Sequence, residues 1–184
     1  MAQVSEVPVR EVPVREVLVP KDSLLAGFGN DSDYRDCFIR DVSGGMNLER
    51  YLERFYCSRA FLPERLILKA LGKPASSADA RALAAGETDR FGVWQVVERR
   101  EARSSSEAVV HSRSEALLES KPTGTASWFA IEAIDVGQSS SSSGAIGQKT
   151  RLYFGSWVGS INESGWNALL RPHLWYSREL LAAV

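Results

Sequence analysis

Apolar and polar positions change their period along this chain, and the changes mark its elements. Residues 6–20 read EVPVR, EVPVR, EVLVP, a pentapeptide repeat whose period suits neither a helix nor a strand. Pro8, Pro13 and Pro20 bar a regular helix and a central strand. The expectation is an extended arm over 1–32, polyproline-like or laid on a sheet edge, ahead of a domain over 33–184. Residues 34–42, YRDCFIRDV, alternate as a strand does, and Ser43, Gly44 and Gly45 break the pattern. Asn47 is placed to cap a helix with Leu48, Tyr51, Leu52 and Phe55 on one face. A second helix is predicted from Pro63, suited to a first turn, to Gly72, suited to a helix end. A third, Ala-rich, spans about 76–85.

The second half is dense in β-formers. Strands are predicted over 91–97, 108–111, 116–119, 126–134 and 152–158. Residues 137–147 hold five consecutive serines, Ser139–Ser143, and read as a solvated hairpin loop. Over 164–183, Trp166, Leu170, His173, Ser177, Leu181 and Val184 share one helical face. Pro172 interrupts that helix and predicts a kink or a late start near it. The order is strand, helices, antiparallel strands, long helix. It predicts an α+β fold, with a curved antiparallel sheet of about five to seven strands around a long C-terminal helix.

Composition narrows the function classes. The chain has 184 residues, 44% of them hydrophobic and 24% charged, as in an ordinary globular protein. Lys and Arg number 22 against 23 Asp and Glu, so no basic excess points to nucleic acid. No apolar run reaches the roughly 18 residues that a membrane span requires. Glu6, Arg10, Glu11, Arg15 and Glu16 interrupt the N-terminal valines, so no signal peptide is expected and a cytoplasmic location is. Cys37 and Cys57 make no disulfide framework and read as free thiols.

Four stretches resemble one family. DYRDCFIRDV at 33–42, FGVWQVVER at 91–99, TRLYFGSWV at 150–158 and LLRPHLWYSRELL at 169–181 are similar to the bacterial family called domain of unknown function 2867. That family sits in the helix-grip superfamily of Bet v 1, START and polyketide-cyclase proteins. The likeness covers residues 33–183 in patches and omits the Val-Pro repeat and the serine loop. This chain carries Arg171 and Pro172 before His173, where the family has an aromatic or apolar residue just before the histidine. The resemblance implies a helix-grip architecture and no particular mechanism.

Candidate chemistry centres on the last helix. His173 lies on its inward face, and three readings stay open: a core histidine, a polar group lining a cavity, or a general acid or base. Ser177 is one turn on, but a triad would need a third group and an oxyanion hole, and no GxSxG elbow appears. Trp94, Phe129, Tyr153 and Trp157, with His173 and Ser177, are the candidate lining of a ligand pocket. In the last strand Arg151, Tyr153 and Trp157 share one face, while Leu152, Phe154 and Val158 share the other. Glu132 is read as an outward charge. Asp36, Arg40 and Asp41 are read as members of surface ion pairs with Arg35 or Arg40. His111, His173, Cys37 and Cys57 show no metal-ligand spacing, GFG at 27–29 is no dinucleotide fingerprint and GQKT at 147–150 no phosphate loop, so no metal or cofactor is expected. The expected function is binding of a hydrophobic or amphipathic small molecule between the sheet and the C-terminal helix. Two alternatives stand beside it: a cyclase, aromatase or hydratase-like enzyme using His173, and a module that forms a homodimer through its N-terminal arm.

Overall fold

A computed structural model of the chain describes residues 13–104, 109–134, 148–159 and 169–184. The serine loop, most of the pentapeptide repeat and the helix expected over 164–168 fall outside these residues.

The helices form where their caps are. Helix α1 (Leu48–Cys57) starts at Asn47, whose Oδ1 accepts from the Arg50 N–H at 2.8 Å. It buries Leu48, Tyr51, Leu52, Phe55 and Tyr56. Helix α2 (Leu62–Ala70) carries Pro63 in its first turn and is followed by Gly72. Helix α3 (Ser77–Ala85) opens with a reciprocal capping box between Ser76 and Asp79. Helix α4 (Leu170–Ala182) is the last element, and Pro172 is its third residue. A missing N–H there breaks no intrahelical bond, so Pro172 sits at a start and not at a kink.

The strands are β1 (Arg15–Glu16), β2 (Tyr34–Ser43), β3 (Arg90–Phe91), β4 (Trp94–Arg100), β5 (Arg103–Ser104), β6 (Val109–His111), β7 (Arg113–Ser120), β8 (Thr125–Ile134) and β9 (Lys149–Val158). Strands β5 and β6 pair with each other. The other seven make one curved, unclosed antiparallel sheet in the order β1-β2-β9-β8-β7-β4-β3. The first long strand therefore lies beside the last, in a ten-residue register from Tyr34 opposite Val158 to Ser43 opposite Lys149.

Both faces of this sheet are covered. Alternation puts Phe38, Leu118, Phe129, Leu152 and Phe154 on one face, packed with Tyr51, Phe55, Leu83 and Leu181 from the helices. The opposite face carries Cys37, Ile39, Leu117, Trp128, Ala130 and Tyr153. The arm covers it with Leu24 and Leu25. The arm first pairs along the sheet edge, Arg15 opposite Ile39, and the Val17 N–H donates to the Cys37 carbonyl at 2.9 Å. So the described part of the arm adds to its own sheet and then crosses it. Burial pushes the Cys37 thiol up to about 12, which leaves it unreactive.

Buried polar groups fix the arm. Glu115 Oε2 accepts from the Leu24 N–H at 2.9 Å and from Trp128 Nε1 at 2.8 Å. Among the described residues Arg35 pairs with no acid. Its guanidinium spans the arm and donates to the carbonyls of Leu25 at 3.2 Å and Asn30 at 2.9 Å. Gly155 of β9 makes room, since a Cβ there would stand 2.6 Å from Leu25 Cδ2. Leu25 is fully buried, so Leu25→Ala is expected to cost about 2–5 kcal/mol in urea unfolding. A loss under about 1 kcal/mol would show that the arm is not part of the core.

Candidate functional site

A cavity of about 460 Å³ opens between the sheet, α1, α2 and α4. Phe55, Tyr56, Phe61, Trp94, Phe154 and Leu180 line it with apolar surface. Ser127, Ser156, His173, Ser177, Tyr176 and Glu64 supply polar groups. Leu169 and Trp175 line it while standing 55% and 64% exposed, which marks its mouth. No Lys or Arg lines it among the described residues. A second hollow of about 740 Å³ lies at the β3–β4 sheet edge, lined by Lys73, Arg90, Glu119 and Lys121 among others. Leu71, Val93, Val96, Val97 and Pro122 also line it, but it has no aromatic wall.

Behind two polar residues of the cavity wall, Ser156 and His173, lies Asp36, which does not itself line the cavity. Strand parity puts it on the helix side with Phe38, and its side chain is 1% exposed. Its Oδ1 accepts from the Ser156 N–H at 3.0 Å. Its Oδ2 accepts from the Tyr34 hydroxyl at 3.3 Å and lies 3.0 Å from His173 Nε2. The expected surface ion pairs are thus corrected. Asp36 bonds to none of the arginines of its own strand. Arg40 donates to the Leu181 and Ala182 carbonyls at the end of α4, at 3.3 and 2.6 Å, where a helix presents negative potential. Asp41 pairs with Arg151 at 2.7 Å, and that hydrogen bond holds its carboxyl below the usual range. The physical reason is that neighbouring residues of a strand face opposite sides of the sheet, so Asp36 cannot meet Arg35 and each charge takes partners on its own face.

A second proton-sharing contact lies across the cavity. The Tyr176 hydroxyl donates to the Ala60 carbonyl at 3.0 Å and also contacts Glu64 Oε2. Burial pushes the Glu64 carboxyl up, against the opposing effect of the Tyr176 hydrogen bond.

The sequence candidates separate. Trp94, His173 and Ser177 line the cavity. Phe129 is fully buried beneath it, 4.7 Å from the Phe55 ring between centroids, and does not reach it. Tyr153 faces the arm, where its hydroxyl donates to Glu132 at 2.6 Å. Glu132 is half-buried there rather than a free outward charge. Trp157 borders the cavity, yet its ring packs against Phe28 and its Nε1 donates to Asp33 at 3.1 Å, on the arm side. From sequence Asp36 is marked only as an ion-pair member, and Glu64 and Tyr176 are not marked as site residues. Parity with Phe38 signals Asp36, and Tyr176 stands three residues from His173. Glu64 carries no signal, because an acid in a first helical turn reads as a partner of the helix dipole.

Comparison with family models, curated proteins and solved structures finds no match for this chain. The chemistry of the site therefore carries the functional argument.

Two outcomes test the geometry. Asp36→Ala leaves the Ser156 N–H buried without its acceptor and should cost about 1–3 kcal/mol in denaturant unfolding. Glu64 has a folded pKa above its unfolded one, so its stabilising protonation is complete at low pH and is lost as pH rises past 4.5. The wild type should therefore lose stability relative to Glu64→Gln as pH rises past that value, measured by thermal unfolding. A constant difference would contradict the burial of that carboxyl.

Proposed function

We propose that this protein binds a neutral, predominantly apolar small molecule between its sheet and its C-terminal helix. The carrying observation is the cavity, whose volume falls in the range of roughly 300–1,000 Å³ usual for small-molecule sites. Its aromatic walls suit an apolar body, and a few convergent polar groups suit one oriented oxygen or nitrogen. A carboxylate or phosphate ligand would find no Lys or Arg in the described lining to offset its charge.

The strand order supports the helix-grip resemblance. Short helices follow the first long strand, that strand lies beside the last, and α4 rests against β2. On this reading the sheet curls around α4 and the cavity is the space left in its grip. No described helix is long and apolar enough to cross a membrane, and the binding reading needs none.

Nile red, a neutral apolar dye, is the direct probe. Its fluorescence should rise on addition of the protein and saturate. Ser127→Trp projects a large ring into the cavity and should weaken dye binding at least tenfold, by about 1.4 kcal/mol or more. Equal dye affinity in the folded variant would remove the cavity from consideration.

A further inference from the structure

Helix α2 wears its apolar side outward. A surface helix ordinarily buries its apolar stripe and shows its charges to water. In α2 only Leu68 is buried. Leu66, Ile67 and, at the C-cap, Leu71 stand 60%, 61% and 65% exposed, and Leu62, Pro63 and Ala70 are exposed too. Two of its charges turn inward instead. Glu64 meets the Tyr176 hydroxyl, and Arg65 donates to the Ala75 carbonyl and to Ser77, both at 2.9 Å. A contiguous apolar face of this kind marks an interaction surface, unlike a single exposed leucine.

The apolar surface continues past both ends of the helix. At its start α2 borders the mouth of the cavity, which Phe61 and Glu64 line together with Leu169 and Trp175. At its end Leu71 lines the hollow at the β3–β4 edge with Val93, Val96, Val97 and Pro122. One apolar strip thus runs from the cavity mouth, over α2, to the sheet edge.

Charge indicates what covers this strip. The chain as a whole is balanced, with 22 Lys and Arg against 23 Asp and Glu. Residues 58–75 are not: Arg59, Arg65, Lys69 and Lys73 stand against Glu64 alone, and Glu64 is turned inward. The hollow adds Arg90 and Lys121 against Glu119. Arg59, Lys69, Lys73, Arg90 and Lys121 are all exposed, and none of them forms an ion pair among the described residues. Exposed leucine and isoleucine flanked by unpaired cations fit the boundary of an anionic bilayer. The apolar side chains enter beneath the headgroups, and the cations stay among them. A second copy of this chain fits poorly. A two-fold contact through α2 sets the patch against itself and brings Lys69 and Lys73 up to the same charges of the other copy.

We propose that α2 and the adjoining sheet edge dock this protein onto an anionic lipid surface, with the cavity mouth at the lipid boundary. An apolar ligand then passes between bilayer and cavity without crossing water. That route rests on the small-molecule reading above, whereas the docking does not.

The test sediments full-length protein with vesicles of phosphatidylcholine alone and of phosphatidylcholine with phosphatidylserine. Binding to the mixed vesicles should be roughly tenfold tighter or more, and added salt should release the protein. Leu66→Ser with Ile67→Ser, and separately Lys69→Glu with Lys73→Glu, should each weaken binding to the mixed vesicles roughly tenfold or more. All four side chains are exposed and lie outside the cavity lining, so thermal unfolding and Nile red binding of both variants should match the wild type. No binding to mixed vesicles, equal binding to both kinds, or full binding by either variant overturns the docking proposal. So does a dimer, read by sedimentation velocity, that Leu66→Ser with Ile67→Ser dissolves while vesicles capture nothing; the face is then a self-contact. Failure of Nile red to bind the wild type removes the small-molecule reading and the ligand route, and the vesicle result alone then decides the docking.

Discussion

A carboxylate taken out of water must be met by donors, because its desolvation costs several kcal/mol or more when it is unpaired. Asp36 is such a group, with its side chain 1% exposed on the face of an otherwise apolar sheet. Its three partners come from three places: the hydroxyl of Tyr34 on its own strand, a main-chain N–H of β9, and the imidazole on α4. Meeting that single charge ties the first long strand, the last strand and the last helix together. Arg40 repeats the tie two turns further along α4, where it holds the terminal carbonyls. Between these two points α4 has little freedom to slide, and the groups it aims into the cavity are placed accordingly.

The same sheet is the wall of two cores. On one side the helices enclose a space, and on the other the described part of the arm packs Leu24 and Leu25 onto the sheet. The difference follows from what covers each face. Helices carry bulky side chains on cylinders and leave gaps where three of them meet a curved surface. An extended segment lies against the sheet and follows its shape. Glycine at position 155 sharpens the contrast, since it brings Leu25 against the backbone of β9 on the arm side.

Local chemistry was readable from the residues. Asn47 and Ser76 announce helix starts, Pro63 a first turn, and the alternation of Leu152, Phe154 and Val158 against Tyr153 and Trp157 a two-faced strand. His173 on the inward face of the last helix follows from its spacing to Ser177 and Leu181. What does not follow is which sheet face meets the helices, because both faces of the strands are apolar. The strand at 34–42 shows why. Its charges fall on both sides, Asp36 and Arg40 with Phe38, Arg35 and Asp41 with Ile39, so alternation alone cannot say which charge is buried. That is decided by residues more than a hundred positions away. Residue type alone points Tyr153 and Phe129 to the pocket, whereas the cavity takes its members from α1, α2, α4 and other positions of the sheet.

The pairing of β2 with β9 has a consequence for biosynthesis. Chains leave the ribosome from their N-terminus, and β2 is complete at residue 43. Its long partner begins at residue 149. During most of translation Phe38 and Ile39 have only the two-residue β1 beside them, and the arm lacks most of the surface it will cover. Strand β9 lies between β2 and β8, so until it emerges the sheet is two separate pieces. The buried charge therefore keeps its water until the last described strand of the nascent chain arrives.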